Sequence, residues 1–156
     1  MMGNYLDRNT RSKEHIKRAV KHELYALLCN TIVNDSFHTT TTFTVSKHRL
    51  ECLKKQMCVA RTLSDEWSDI VHRGSNITMP LHSSLRIILE NAILGQQGFF
   101  KLGHIIVVCT YVADICALNL CKSKTVDVYA IVESLVDIMV ERRLDTCVTF
   151  LKHLDA

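Results

Sequence analysis

The chain is short of backbone punctuation, with one proline and five glycines in 156 residues. An all-β fold needs a turn signal roughly every 8–12 residues, so that class is excluded and long helices are expected. A dominant charge of one sign is also missing. Lys plus Arg number 19 and Asp plus Glu 16, a net +3 with His neutral. That balance is too mild and too evenly spread to point to nucleic acid or a membrane surface. Charged residues are only 22% against 47% hydrophobic, which excludes a disordered chain. No cationic start leads into an apolar run, so no signal peptide is expected, and the sequon Asn76-Ile77-Thr78 reads as an unused match. The length suits one domain over residues 1–156, able to bury roughly 70% of its unfolded surface.

Disulfide spacing is absent too. The seven cysteines, Cys29, Cys52, Cys58, Cys109, Cys116, Cys121 and Cys147, are odd in number and include no C-x-x-C pair. Most fall inside apolar periodic segments. They read as free thiols packed as small hydrophobes in a reducing, cytoplasmic setting.

One run tests for a membrane span. Leu102 to Cys121 reads LGHIIVVCTYVADICALNLC, close to the ~20 residues a spanning helix needs. It carries His104, Asp114 and Asn119, and an ionisable group at mid-span is costly in lipid. The run therefore reads as the central helix of a bundle, apolar almost all round because neighbours cover it. The end, Leu154-Asp155-Ala156, carries no hydrophobic tail, so no C-terminal anchor is expected.

Helical periodicity fills most of the rest. From Ser12, a candidate N-cap, to Val33 the stripe is Ile16, Val20, Leu24, Leu27, Leu28 and Ile32. Asn34 to Thr44 lacks a helical period and reads as a loop. Ser46 is placed to cap a run through Leu50, Leu53, Met57, Ala60, Leu63, Trp67, Ile70 and Val71, with Gly74 as its C′ residue. Periodicity does not tell whether that run is one helix or two. Pro80 suits a first turn, followed by Leu81, Leu85, Ile88, Leu89 and Ala92 and closed by Gly95 and Gly98. The apolar helix over about residues 100–120 ends at Lys122-Ser123-Lys124. Thr125 is a candidate cap for a helix with Tyr129, Val132, Leu135, Val136 and Met139 inward, and a short helix over 143–153 closes the chain. The fold class is all-α, a helical bundle around one central hydrophobic helix.

Catalytic chemistry finds no footing. Seven Cys and eight His offer pairings, yet no nucleophile signature accompanies them. His48 and Cys52 share a helix face, but one pair is half a zinc site. Asp65-Glu66 point apart on a helix, and Glu133/Asp137 lie on a polar face. Gly95-Gln96-Gln97-Gly98 lacks the Lys and Ser/Thr sequel of a phosphate loop. Lys54-Lys55 and Arg142-Arg143 have no interleaved aromatics and read as solvated faces. No enzyme, cofactor or metal is expected.

Gly98 to Leu118, GFFKLGHIIVVCTYVADICAL, resembles the first homology motif of the B-cell lymphoma-2 (Bcl-2) family of apoptosis regulators. In that motif a Gly and then Asn-Trp-Gly-Arg open the central apolar helix. Lys101 stands at the Asn, Leu102 at the Trp, Gly103 at the Gly and His104 at the Arg. Tyr111 falls where the family places Phe, and Val112-Ala113 where small residues follow. Ile131 to Val148, IVESLVDIMVERRLDTCV, is similar to the sixth and seventh helices of pro-survival members. Thr146 and His153 stand where the second motif normally carries Trp. The departures resemble the divergent, virus-encoded branch. The third homology region, the family's killer helix, falls on Leu50 to Trp67. There Leu53 serves as the Leu, but Met57-Cys58 replace the small residue and Asp.

The resemblance implies a Bcl-2-like bundle that inhibits apoptosis by holding pro-apoptotic third-region (BH-3) helices in a surface groove, a helix-in-groove mode. It implies groove residues Leu63, Trp67, Ile70, Leu85, Leu89, Gly103, His104, Val107, Val108 and Tyr111. His104 would stand where the family's Arg meets a ligand Asp. It implies protein partners, with no nucleic acid and no integral membrane segment. Its location would be cytoplasmic, reaching mitochondria through partners. The alternatives are a pro-apoptotic member acting on membranes, or a helical adaptor or homodimer with a closed groove.

Overall fold

The computed structural model describes residues 2–37, 45–62, 64–75, 102–121 and 128–156. They form six helices: α1 (Met2–Phe37), α2 (Lys47–Arg61), α3 (Trp67–Ser75), α4 (Leu102–Cys121), α5 (Val128–Arg142) and α6 (Leu144–Leu154). No strand occurs among the described residues, so the fold is all-α. The helix expected after Pro80, with Leu85 and Leu89 on its stripe and Gly95 and Gly98 at its end, lies outside the described residues. So do residues 38–44 and 122–127 and the side chain of Cys121.

α4 is the centre. It packs against α1, α2, α3 and α6, while α1 lies along α5. Ile105, Cys109, Val112, Ile115 and Cys116 of α4 are all buried, which matches its near-uniform apolar sequence. The stripes read from the sequence supply the surrounding layer, from Val20 to Ile32 on α1, Val132 to Met139 on α5, and Phe150 and Leu154 on α6. Among the described residues no helix is long and apolar enough to cross a membrane.

α1 and α5 depart from the periodicity reading. α1 does not begin at Ser12 but runs from Met2 through Phe37. Ser is an N-cap only where the chain enters a helix, and inside one it costs little. Nor does α1 stop at Asn34, since it continues to Phe37. Ile16 and Tyr129, both expected inward, are each 44% exposed. Ile16 precedes Val20, the first buried position, and its turn faces the charged end of α5, where Lys17 Nζ donates to Glu141 at 3.0 Å. Tyr129 sits about 100° from Val128 around the axis, off the buried face.

The long apolar run after Ser46 is two helices. Ser46 caps α2 as expected, its Oγ accepting from the Arg49 N–H at 3.3 Å. The run breaks at the next Ser/Thr chemistry. Thr62 Oγ1 donates to the Val59 carbonyl at 2.7 Å, and Ser64 Oγ accepts from the Glu66 N–H at 3.1 Å. Such side chains offer the backbone an alternative to the next helical bond.

The buried polar residues Asn30, Thr31 and Thr110 are satisfied locally. Each donates to the carbonyl four residues earlier, at 2.6–2.8 Å. Cys29, Cys52, Cys58, Cys109, Cys116 and Cys147 are free thiols. Burial pushes Cys109, Cys116 and Cys147 up to about 12 and Cys29 to about 11, so they stay protonated and behave as small apolar groups. Among the described residues no group of three or more His, Cys, Asp or Glu is placed to hold a metal ion.

Ion pairs join the helices at the surface. Glu141 of α5 takes Lys17 and Lys21 of α1 at 3.0 and 2.8 Å. Arg49 of α2 joins Glu23 of α1 at 2.8 Å to Asp155 at 2.6 Å. The hydrogen bonds from Lys21 and Lys17 lower the Glu141 carboxyl from 4.5 to about 2. Because the folded pKa lies below the unfolded one, the contribution is full above about pH 4.5 and is lost as pH falls toward 2. Glu141 is 47% exposed, so screening holds its share to about 1 kcal/mol or less. Glu141→Gln should therefore lower stability slightly at pH 7 and leave it unchanged at pH 2, measured by urea unfolding at both pH values.

Candidate functional site

An apolar helix that carries an aspartate must provide for it, since a buried carboxylate without partners is costly. Asp114 of α4 is met by two neighbouring elements. Arg61, the last residue of α2, donates through Nε to Oδ1 and Oδ2 at 3.1 and 3.0 Å and through Nη2 to Oδ1 at 2.9 Å. Trp67, the first residue of α3, donates through Nε1 to Oδ2 at 2.7 Å. Asp114 in turn raises the Arg61 pKa, chiefly by these hydrogen bonds. One carboxylate thus pins the end of α2 and the start of α3 to α4.

Tyr111, one turn before Asp114, completes the joint. Its ring meets Trp67 edge-on, with centroids 6.3 Å apart and planes at 83°, a favourable aromatic geometry. Over its hydroxyl lies Gly74, which is a buried residue inside α3 rather than the C′ residue expected. A Cβ on Gly74 would overlap the Tyr111 hydroxyl and stand 2.9 Å from Ile115 Cδ1. The glycine is there for close helix approach.

Beyond this joint α2 and α4 enclose an open apolar trough of about 460 Å³. Its described lining is Lys55, Gln56, Val59 and Ala60 of α2, Gly103, Ile106 and Val107 of α4, and His153 of α6. Val59 is 60% exposed. Gly103 is exposed, and a Cβ built on it meets nothing within 4 Å among the described residues. At the α6 edge Gln56 Nε2 and His153 Nε2 are 3.0 Å apart. Two further hollows are polar. One between α1 and α5 includes Lys21, His22, Tyr25 and Glu133, and one at the α5–α6 junction includes Lys13, Lys17, Arg142 and Arg143.

Of the residues read as groove candidates, Gly103 and Val107 line the trough. Trp67 and Tyr111 come together, but in the Asp114 joint. Val108 packs against the core, and Ile70 on α3 and His104 on α4 are half-buried without lining the trough. Leu63, Leu85 and Leu89 lie outside the described residues. The lining residues missed are Lys55, Gln56, Val59, Ala60, Ile106 and His153. Val59 had a signal, being an apolar residue off the Leu53-Met57-Ala60 stripe. Asp114 had one as well, as a charge in an apolar helix demanding a cationic partner.

Comparison with protein-family models, with curated proteins and with solved structures returned no match. The site is therefore read from its own geometry.

Gly74→Ala should destabilise the protein by about 1–2 kcal/mol, the overpacking cost less the helix-propensity gain. In a Tyr111→Phe background, with the hydroxyl gone, the same change should cost measurably less. Chemical denaturation of the four proteins in this cycle measures the difference. Equal costs in both backgrounds would remove the Gly74–Tyr111 contact from the account.

Proposed function

We propose that this chain is a pro-survival Bcl-2-like regulator that takes the amphipathic helix of a pro-apoptotic partner in the trough between α2, the start of α4 and α6. The carrying observation is the open apolar trough itself, with Val59, Ala60, Ile106 and Val107 on its walls and the bare backbone of Gly103 beside them. Apolar side chains at i, i+3/i+4 and i+7 of a partner helix are the natural occupants of such a surface. The motif likeness of Gly98 to Leu118 supports the same end of α4, since Gly103 is the motif's glycine.

The direction of the activity follows from α2. Leu53 and Met57 are buried in the core, and Met57-Cys58 stand where a killer helix needs a small residue and an aspartate. A helix packed in its own core that lacks the small residue and the aspartate supports the receptor role over the ligand role. No step of this reading involves catalysis, a cofactor or a metal.

Calorimetry against a panel of pro-death helix peptides of roughly two dozen residues should find at least one that binds with micromolar affinity or better, about −8 kcal/mol. Gly103→Phe is the companion variant. Nothing in the described chain meets a Cβ there, and leaving glycine in a helix gains up to about 1 kcal/mol, so stability should hold or rise. Peptide binding should fall more than tenfold as the ring fills the trough. No heat with any peptide, or undiminished binding by Gly103→Phe, would contradict the proposal.

A further inference from the structure

The trough has a charge sign of its own. Its described lining carries Lys55 and His153 and no carboxylate. Elsewhere several long cations are matched: Lys17 and Lys21 meet Glu141, Arg49 meets Glu23 and Asp155, and Arg61 meets Asp114. Among the described residues Lys55 has no such partner, and Glu51, four positions earlier on α2, forms no ion pair with it. Gln56 and His153 are engaged with each other. Lys55 is the lining side chain left to meet an acid.

Geometry fixes where that acid would stand. Lys55 and Val59 lie one turn apart on α2, about 6 Å along the axis, and share its trough-facing side. A partner helix laid along α2 with an apolar side chain against Val59 carries, three or four positions away, the side chain that arrives at Lys55.

We infer that the trough selects amphipathic helices bearing an acidic residue three or four positions from an apolar anchor, and that Lys55 reads that acid. The inference rests on the helix-binding reading above and adds to it a charge requirement at a residue outside the family-like motif. Lys55 and Val59 are both exposed at the trough wall, so the charge-assisted hydrogen bond formed there is sensitive to salt.

The probes are the helical peptides of the calorimetric panel, each made in two versions. In one the residue four positions from the central leucine is Glu, and in the other it is Lys. Wild type should bind the Glu version about tenfold tighter, with the preference shrinking as salt rises from about 0.05 to about 0.5 M. Lys55→Glu should reverse the preference, and Lys55→Gln should abolish it. Circular dichroism confirms that both variants remain folded. If the peptides bind, lose binding with Gly103→Phe, and show the same Glu/Lys preference in wild type and both Lys55 variants, the charge inference fails while the helix-binding reading stands. If no peptide binds, or binding ignores Gly103→Phe, both fail together.

Discussion

The Asp114 carboxylate is the constraint from which the working part of the fold follows. It sits on the apolar central helix, where an unpaired charge is not tolerated, so α2 and α3 must each send it a donor. Arg61 and Trp67 do so, and the turn between them is thereby held at both ends. Replacing such partly buried pairs by apolar groups is often neutral for stability, so what Asp114 supplies is position. With Arg61 fixed on α4, the preceding turns of α2 lie along Gly103 to Val107 at a set separation. That separation is the trough. Gly74 reinforces it by leaving room for the Tyr111 side chain between α3 and α4.

Much of the helical content is legible in the sequence because it rests on two strong signals. The scarcity of Gly and Pro permits long helices, and the 3.6-residue stripes of α1, α5 and α6 mark faces that are buried. The central position of α4 is legible for a related reason, since a helix apolar all round has no face to leave in water. Helix ends are less legible. Ser12 and Ser46 look alike as caps, yet only Ser46 sits where the chain enters a helix, and the difference lies in what each segment packs against. Gly74 shows the same ambiguity, because a glycine that ends a helix and one that lets two helices touch are the same letter.

The candidate site is only half legible. Gly103 and Val107 are found through their motif positions, whereas Val59, Ile106 and Lys55 come from the way α2 is laid on α4. The family resemblance implies Trp67 and Tyr111 as groove residues, and large aromatics on apolar stripes fit a core equally well. Their hydrogen bond and edge-on packing assign them to the joint instead. Sequence marks which residues are apolar, but exposure separates those that hold the bundle together from those left for a partner, as the exposed Val59 beside the buried Ala60 shows.

The account stands or falls on whether a partner helix occupies the trough between α2 and α4. The most direct measurement is a nitrogen–proton correlation spectrum of the labelled protein titrated with a pro-death helix peptide. Binding in the trough predicts shifts concentrated at the amides of Lys55 to Ala60, Gly103 to Val107 and His153, with the far face of α1 around Lys21 and Tyr25 unmoved. Shifts confined to the α1–α5 face, with the α2 and α4 amides still, would contradict it.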